Sequence, residues 1–276
     1  MSFPTFLAIG HVVKDVVGEG YRLGGGAAYA AVTAARLGEQ AAVVTRAIAE
    51  DISELEKEVS LHIVPATKTT IFRNSYQGST RLQQVLAVAE PLTLEHVPQA
   101  WRKAQVVLLA PVAQEVDPGL ARAFPRALVG ASLQGWLRQW DDRGHVRFHP
   151  WAEAPLVLPQ ITVAVLSEKD VRGDERLLET YAQMVEVLAV TQGVRGARVH
   201  HRGQWTASSA FPAVERNPTG AGDAFAAAFL IAWHQTRDVT QAARFANATA
   251  SLAVEGTGLF QLPTRDQVED RLRGKT

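Results

Sequence analysis

Apolar residues along this chain fall into short blocks separated by glycines and charged stretches. Residues 6–10 (FLAIG), 41–47 (AAVVTRA), 106–111 (VVLLAP), 127–132 (ALVGAS), 161–166 (ITVAVL) and 188–193 (LAVTQG) read as buried strands of a parallel sheet. Between and after them lie segments with helical character. These are residues 22–38 (RLGGGAAYAAVTAARLG), an exposed stretch around 118–124, the run that begins at Asp223, and residues 242–254 (AARFANATASLAV). Residues 53–59 form a charged, exposed helical turn, and 140–155 are turn-rich. Strands and helices in alternation predict an α/β domain with right-handed crossovers.

Two stretches break that rhythm. Residues 68–76 and 80–89 are β-branched and partly alternating around Gln77, Gly78 and Ser79, which is a hairpin signal. A second hairpin is expected over 199–211. An isolated hairpin among βα units suggests a lid, joined by residues 12–23. The expected architecture is a three-layer α/β/α domain with a mostly parallel central sheet and a small β lid. Its core would comprise residues 1–11, 24–66 and 92–276, and its lid residues 12–23 and 67–91.

Composition narrows the function. With 276 residues, 47% of them hydrophobic, a sizeable core can form, and a formal net charge of zero offers no basic field for nucleic acid. The absence of cysteine excludes disulfides, thiolate metal sites and cysteine nucleophiles. No apolar run approaches about 18 residues, and the opening MSFPTFLAIG lacks the pattern of a secretory leader, so the expectation is a soluble, cytoplasmic protein that meets no membrane. His145 and His149 lie close together without a third candidate ligand nearby, which argues against a metal site there.

The densest candidate chemistry is Asn217 to Phe229, NPTGAGDAFAAAF. Pro218, Thr219, Gly220 and Gly222 break helical structure, whereas the Ala-rich run from Asp223 propagates it. A loop of small residues feeding a helix start leaves backbone N–H groups directed at whatever anion approaches. Asp223 lies in the first turn of a helix that is apolar on every side from Ala224 to Trp233. An acid at the mouth of a buried helix is better placed to orient a hydroxyl than to decorate a surface.

The segment TGAGDAF resembles the C-terminal signature of the ribokinase-like (PfkB) carbohydrate kinases. The resemblance implies transfer of the γ-phosphoryl group of ATP to a hydroxyl of a small sugar or polyol, with Asp223 as catalytic base and Gly220, Ala221 and Gly222 as the anion hole. RLGGGAAYAAVTAARLG resembles the N-terminal signature, in which the glycine pair, here Gly25 and Gly26, contacts substrate. Tyr29 stands where that signature has an Asn; it either packs on the substrate or fills core. FRNSY, APVAQE and the residues after 132 are similar to the inositol and polyol kinases of the family.

Asp15, five residues beyond Gly10, follows a strand whose carboxyl end faces ligand in sheets of this kind, and the family carries a sugar-binding Asp at this spacing. Gln134, just past another strand end, suits ligand hydroxyls or simply starts a helix. Arg73, Arg81 and Gln83 face the substrate from the lid or lie on its exposed side. By resemblance, Thr191, Gly193 and Gly196 belong to a nucleotide loop, Thr219 to the phosphate cradle, and Asn247 to the neighbourhood of adenine. Ser167 and Asp170 stand where the family has Asn and Glu that hold the water shell of Mg2+. Asn217 replaces an Asp that helps hold a monovalent cation, so weak or absent potassium activation is expected. The lid of such enzymes often pairs with a second subunit, implying a homodimer. A nucleoside kinase and a non-catalytic ligand-binding relative remain alternatives on the same core.

Overall fold

The computed structural model describes residues 3–77 and 80–275, so the hairpin turn expected at Gly78 and Ser79 lies outside the described residues. The amino-terminal part runs β1 (Phe6–Ile9), β2 (Val13–Val17), β3 (Gly20–Gly24), α1 (Gly26–Arg36), β4 (Ala41–Ala47), α2 (Ala49–Ile52), β5 (Ser60–Pro65), β6 (Thr70–Gln77) and β7 (Thr80–Ala87). The middle contains β8 (Val106–Leu109), β9 (Leu128–Ser132), β10 (Arg138–Trp140), β11 (Val146–Phe148), α3 (Ala154–Val157), β12 (Val163–Ser167) and α4 (Glu175–Ala182). The chain closes with β13 (Val187–Thr191), β14 (Ala197–His201), β15 (Gln204–Ser208), α5 (Ala221–Thr236), α6 (Val239–Ala253) and α7 (Arg265–Leu272).

Nine strands form one sheet in the order β15-β14-β13-β12-β9-β8-β1-β4-β5. It is parallel except where β14 and β15 turn back as a hairpin. From β1 the chain builds outward to β4 and β5, then returns to β8 and builds the other way. The reversal opens a crevice at the carboxyl ends of β1 and β8, where sheets of this type bind ligands. A second, four-stranded sheet has the order β3-β2-β6-β7, with β2 and β6 parallel.

The two faces of the large sheet are covered differently. On one, α1, α5 and α6 pack closely because they are rich in alanine; Ala224 through Trp233 of α5 are all buried. Leu230 sits directly on β9, where a Cβ on Gly130 would lie 2.5 Å from Leu230 Cδ2. On the other face, the exposed helix expected around 118–124 is a short 3-10 turn, Pro118–Arg122, which Asp117 caps and which buries Leu120 and Ala121. Proline at its first position and a five-residue length favour that tighter turn over a full helix. Large side chains fill the remaining space, among them Trp136 stacked on Trp151 with ring centroids 4.5 Å apart.

Several elements differ from expectation. The turn-rich segment after 137 contains the β10–β11 hairpin, and the charged segment near 53–59 is continued by the edge strand β5. Helices α4 and α7 are additions: α4 is N-capped by Asp174, and α7 opens with a capping box between Thr264 and Gln267. Among the described residues no helix is long and apolar enough to cross a membrane.

Close approach of β1 and β8 depends on Gly10, where an added Cβ would lie 2.3 Å from the backbone oxygen of Ala110. Gly10→Ala is expected to force the two strand ends apart and to destabilise the protein by about 1–3 kcal/mol, measured by chemical denaturation.

Candidate active site

Two helices begin at this crevice. The turn leading into α1 is Gly24-Gly25-Gly26, and Gly25 holds φ 97°, with a would-be Cβ 2.4 Å from the His11 carbonyl. Only glycine combines that conformation with that contact. A Cβ on Gly26 would lie 2.8 Å from Asp223 Oδ1 and 3.5 Å from Ala110 Cβ, while one on Gly24 would lie 2.5 Å from Asp15 Oδ2. Two carboxylates thus stand at either end of a three-glycine floor, with no side chain from the floor between them.

Asp223 reaches this floor from the first turn of α5. The residue before that helix, Gly220, adopts φ 84°, and no side chain caps the helix start. Asn217 Oδ1 accepts the Thr219 N–H at 3.0 Å, forming the bend that enters the turn. The expectation that Gly220, Ala221 and Gly222 share one anion hole needs correction: the Ala221 N–H donates to Pro218 O at 3.3 Å. Gly222 is exposed, and a Cβ there would meet nothing within 4 Å. Partly buried, Asp223 lies beside this open backbone, and the dipole of the sixteen-residue helix favours negative charge here.

The small sheet turns one face toward the crevice. Val13, Phe72 and Val85 pack against Val112 and Ala113, the residues that follow β8. Pairing places Asp15 and Asn74 on that same face, where Asn74 Nδ2 donates to Asp15 Oδ1 at 3.2 Å and Gln83 Nε2 donates to Asn74 Oδ1 at 3.0 Å. Gln83 therefore faces inward. Arg73, expected at the substrate, is paired with Val16 and Gln84 on the opposite face and is exposed. Unbroken alternation along β6, in which Phe72 and Asn74 face the crevice, assigns it there.

Of the two readings of Tyr29, the structure has the one in which it fills core. It is 2% exposed, and its ring lies against Gly220, where a Cβ would come within 2.1 Å of Cδ1. Buried in this way it shapes the start of α5 and offers no surface to a ligand. Gln134 belongs with the pair expected near metal: its Nε2 donates to Asp170 Oδ1 at 2.9 Å, while Asp170 Oδ2 accepts the Ser167 N–H at 2.9 Å in a capping box. That arrangement does not fit direct coordination of a cation, and among the described residues no three His, Asp or Glu side chains gather as a cation site.

Thr191 ends β13, and Gly193 and Gly196 follow it in the connection to β14. Gly193 opens onto free space, whereas Gly196 is required sterically, since a Cβ there would lie 2.1 Å from Ser208 O. Nearby Glu168 bonds Gln192 and pairs with Arg195; burial opposes ionisation, but these two donors outweigh it and hold the carboxyl below its ordinary range. Asn247 is buried, and its Nδ2 donates to Ser208 O, Ser208 Oγ and Ser209 O, so this nitrogen anchors the approach to the cradle.

Sequence reasoning missed Arg271. Only 7% exposed, it donates to Pro212 O and Ser251 Oγ and pairs with Glu255 at 3.0 Å, clamping the segment that leads to Asn217. Its place on a charged helix carried no signal. Asn74 and the buried pair His11 and Glu115 were missed as well, because their partners lie 59 to 104 residues away.

Residues 162–265 match the model of the pfkB family carbohydrate kinases. The chain is 33% identical over 121 residues to a ribokinase of Bacillus subtilis (strain 168), covering 44% of this chain and 36% of that protein. Over 105 residues it is 31% identical to an inositol 3-kinase of Arabidopsis thaliana, covering 37% and 30% respectively. The chain thus spans about a third of the length of these relatives. Across nearly its full length it superposes on a pyrophosphate-dependent kinase in the ribokinase family complexed with a pyrophosphate analog and myo-inositol, with TM-score 0.81, 24% identity and coverage of 96% and 99%. It also superposes on Arabidopsis thaliana ribokinase complexed with ribose and ATP, with TM-score 0.73, 20% identity and coverage of 98% and 99%. The Asn217–Gly220 turn and α5 fall within the segment that matches the pfkB carbohydrate kinases, and the chain as a whole has the fold of the ribokinase family.

Proposed function

We propose that this chain is an ATP-dependent kinase that transfers the γ-phosphoryl group to a hydroxyl of a small sugar or polyol, with an inositol-like acceptor well suited to the site. The observation that carries the reading is the Asp223 carboxylate held over Gly26 beside the uncapped start of α5. An acceptor lying on the Gly24–Gly26 floor would donate hydroxyl hydrogens to Asp15 at one end and Asp223 at the other. The reacting oxygen forms its bond to phosphorus as the bond from phosphorus to the donor's bridging oxygen breaks, and the proton passes to Asp223. Phosphoryl transfer proceeds through a loose transition state, so positioning and charge stabilisation matter more than early proton removal. The backbone at Gly220 and Gly222, with the dipole of α5, would supply that stabilisation.

On this reading Thr191 and Gly193 border the donor, and Thr219 lies at its transferred phosphate. Asp170 would hold a magnesium ion through water, and the ion would supply neutralisation of the donor's phosphate charge. Residues 12–23 and 67–91 would act as the lid. Its outward face, where Tyr21 is 56% and Leu82 42% exposed, would be the surface for a second copy of the chain.

Pyrophosphate is a second candidate donor. Two features favour it: the likeness to the pyrophosphate-dependent kinase, and the commitment of the Asn247 amide nitrogen to Ser208 and Ser209 instead of a purine. Both donors need the same cradle.

Asp223→Asn is expected to lower turnover by roughly 100-fold while leaving donor affinity nearly intact; turnover within a few-fold of the parent would remove Asp223 from this role. Gly26→Ala, which drives a methyl into the Asp223 carboxylate, should reduce turnover with little change in melting temperature. Phosphate transfer to a panel of polyols and sugars, assayed with ATP and with pyrophosphate in turn, identifies the donor. Potassium should leave the rate unchanged, because the neutral Asn217 is engaged with Thr219. Absence of transfer with either donor to every acceptor would refute the kinase reading.

A further inference from the structure

Three of the four backbone connections between the small sheet and the large one meet at a single side chain. His11 lies on the path from β1 into β2; Thr70 begins β6; Ala89 and Glu90 follow β7. The His11 ring is fully buried, and both its nitrogens are engaged. Nε2 lies 3.1 Å from Glu90 O, which can only accept, so Nε2 carries the hydrogen. Nδ1 of the neutral ring is then an acceptor, and Thr70 Oγ1, 2.8 Å away, donates to it. The same Thr70 oxygen accepts the Ala89 N–H at 3.0 Å. One imidazole and one hydroxyl thus tie the strand entering the small sheet to the strand leaving it.

More buried polar groups brace this joint. Glu115, 2% exposed, accepts N–H bonds from His11, Val112 and Ala113, locking the ends of β1 and β8 together. Thr45 accepts the Val12 N–H at 2.8 Å, and Thr69 accepts the Ile48 N–H at 3.1 Å. Burial lowers the pKa of His11 below the ordinary 6.5 and Arg46 adds to this, against the opposing Glu115 and Glu90, so the ring stays in the neutral form that its partners require. Apolar packing is non-directional and would let one sheet slide over the other. Directional hydrogen bonds in a buried joint define an angle, and they are costly to break there.

We propose that His11, acting through Thr70, is a positioning residue that sets the angle of the small sheet and so places Asp15, four residues further along the chain in β2, against the acceptor. This rests on the kinase reading above. The joint itself can be tested without any activity.

Thr70→Val removes the donor to Nδ1 and the acceptor for Ala89 with little change of volume, and Thr70→Ser keeps both. In Thr70→Val, backbone hydrogen exchange should accelerate in residues 13–24 and 70–77 and stay unchanged in β8 and β12. The acceptor KM should rise about 10-fold while the donor KM moves by less than about twofold, and Thr70→Ser should restore both readouts. Exchange identical to the parent, acceleration spread equally through the core, or an unchanged acceptor KM in an active protein each overturns the proposal. In a protein that phosphorylates no acceptor, acceleration confined to the small sheet supports the joint and refutes only the kinase reading.

Discussion

The interaction that organises this molecule is the packing of the α5 start onto the turn that begins α1. A buried helix must place its amino-terminal N–H groups somewhere, and the usual solution is a capping side chain. Here Gly220 turns left-handed against the Tyr29 ring, and Asp223 lies over Gly26. A Cβ on Gly220 would run into the Tyr29 ring and one on Gly26 would displace the Asp223 carboxylate, and neither contact supplies a cap. The result is a tightly packed helix end whose exposed backbone at Gly222 faces outward, next to a carboxylate held by its surroundings.

The buried polar groups show how the rest of the fold serves that end. Thr33 and Thr249 bond carbonyls one turn back in their own helices and need no further account. The other buried polar groups among the described residues fall into two clusters. His11, Thr45, Thr69, Thr70 and Glu115 sit where the small sheet leaves the large one. Asn247, Ser251 and Arg271 sit beneath the segment leading from β15 to the cradle. Buried polar groups require complete hydrogen bonding, which makes them poor filler and good joints. Both clusters occur where chain of irregular structure must be held at a defined angle beside the crevice.

The sheet itself is held mainly by apolar contact, and its two covers differ in kind. Alanine-rich helices approach one face closely enough for Leu230 to rest on Gly130. The other face is closed largely by short turns and by bulky rings such as Trp136, Trp151 and Tyr181. A short chain can complete three layers in this way because a few aromatic side chains occupy the volume that another helix would fill.

Much of the fold was legible in the sequence because its signals are local. Apolar blocks such as 41–47 predict buried strands, and Gly-Ala-Gly before an alanine run predicts a helix with an open start, since both patterns report the conformational preferences of neighbouring residues. The same local reading placed Asp223 in the first turn of a buried helix. It could not decide which face of a lid strand looks inward, so Arg73 turned outward while Asn74, beside it, joined Asp15. Nor could it tell Tyr29 packed on a ligand from Tyr29 packed on Gly220, or find His11 and Arg271, whose chemistry depends on partners many residues away. Propensity and periodicity are properties of a segment, whereas register, burial and hydrogen-bond partners arise only when segments meet. The sequence by itself therefore determined the strands, the glycine-opened helices and the candidate acid, and the tertiary structure decided which side chains stand around that acid and which hold the frame.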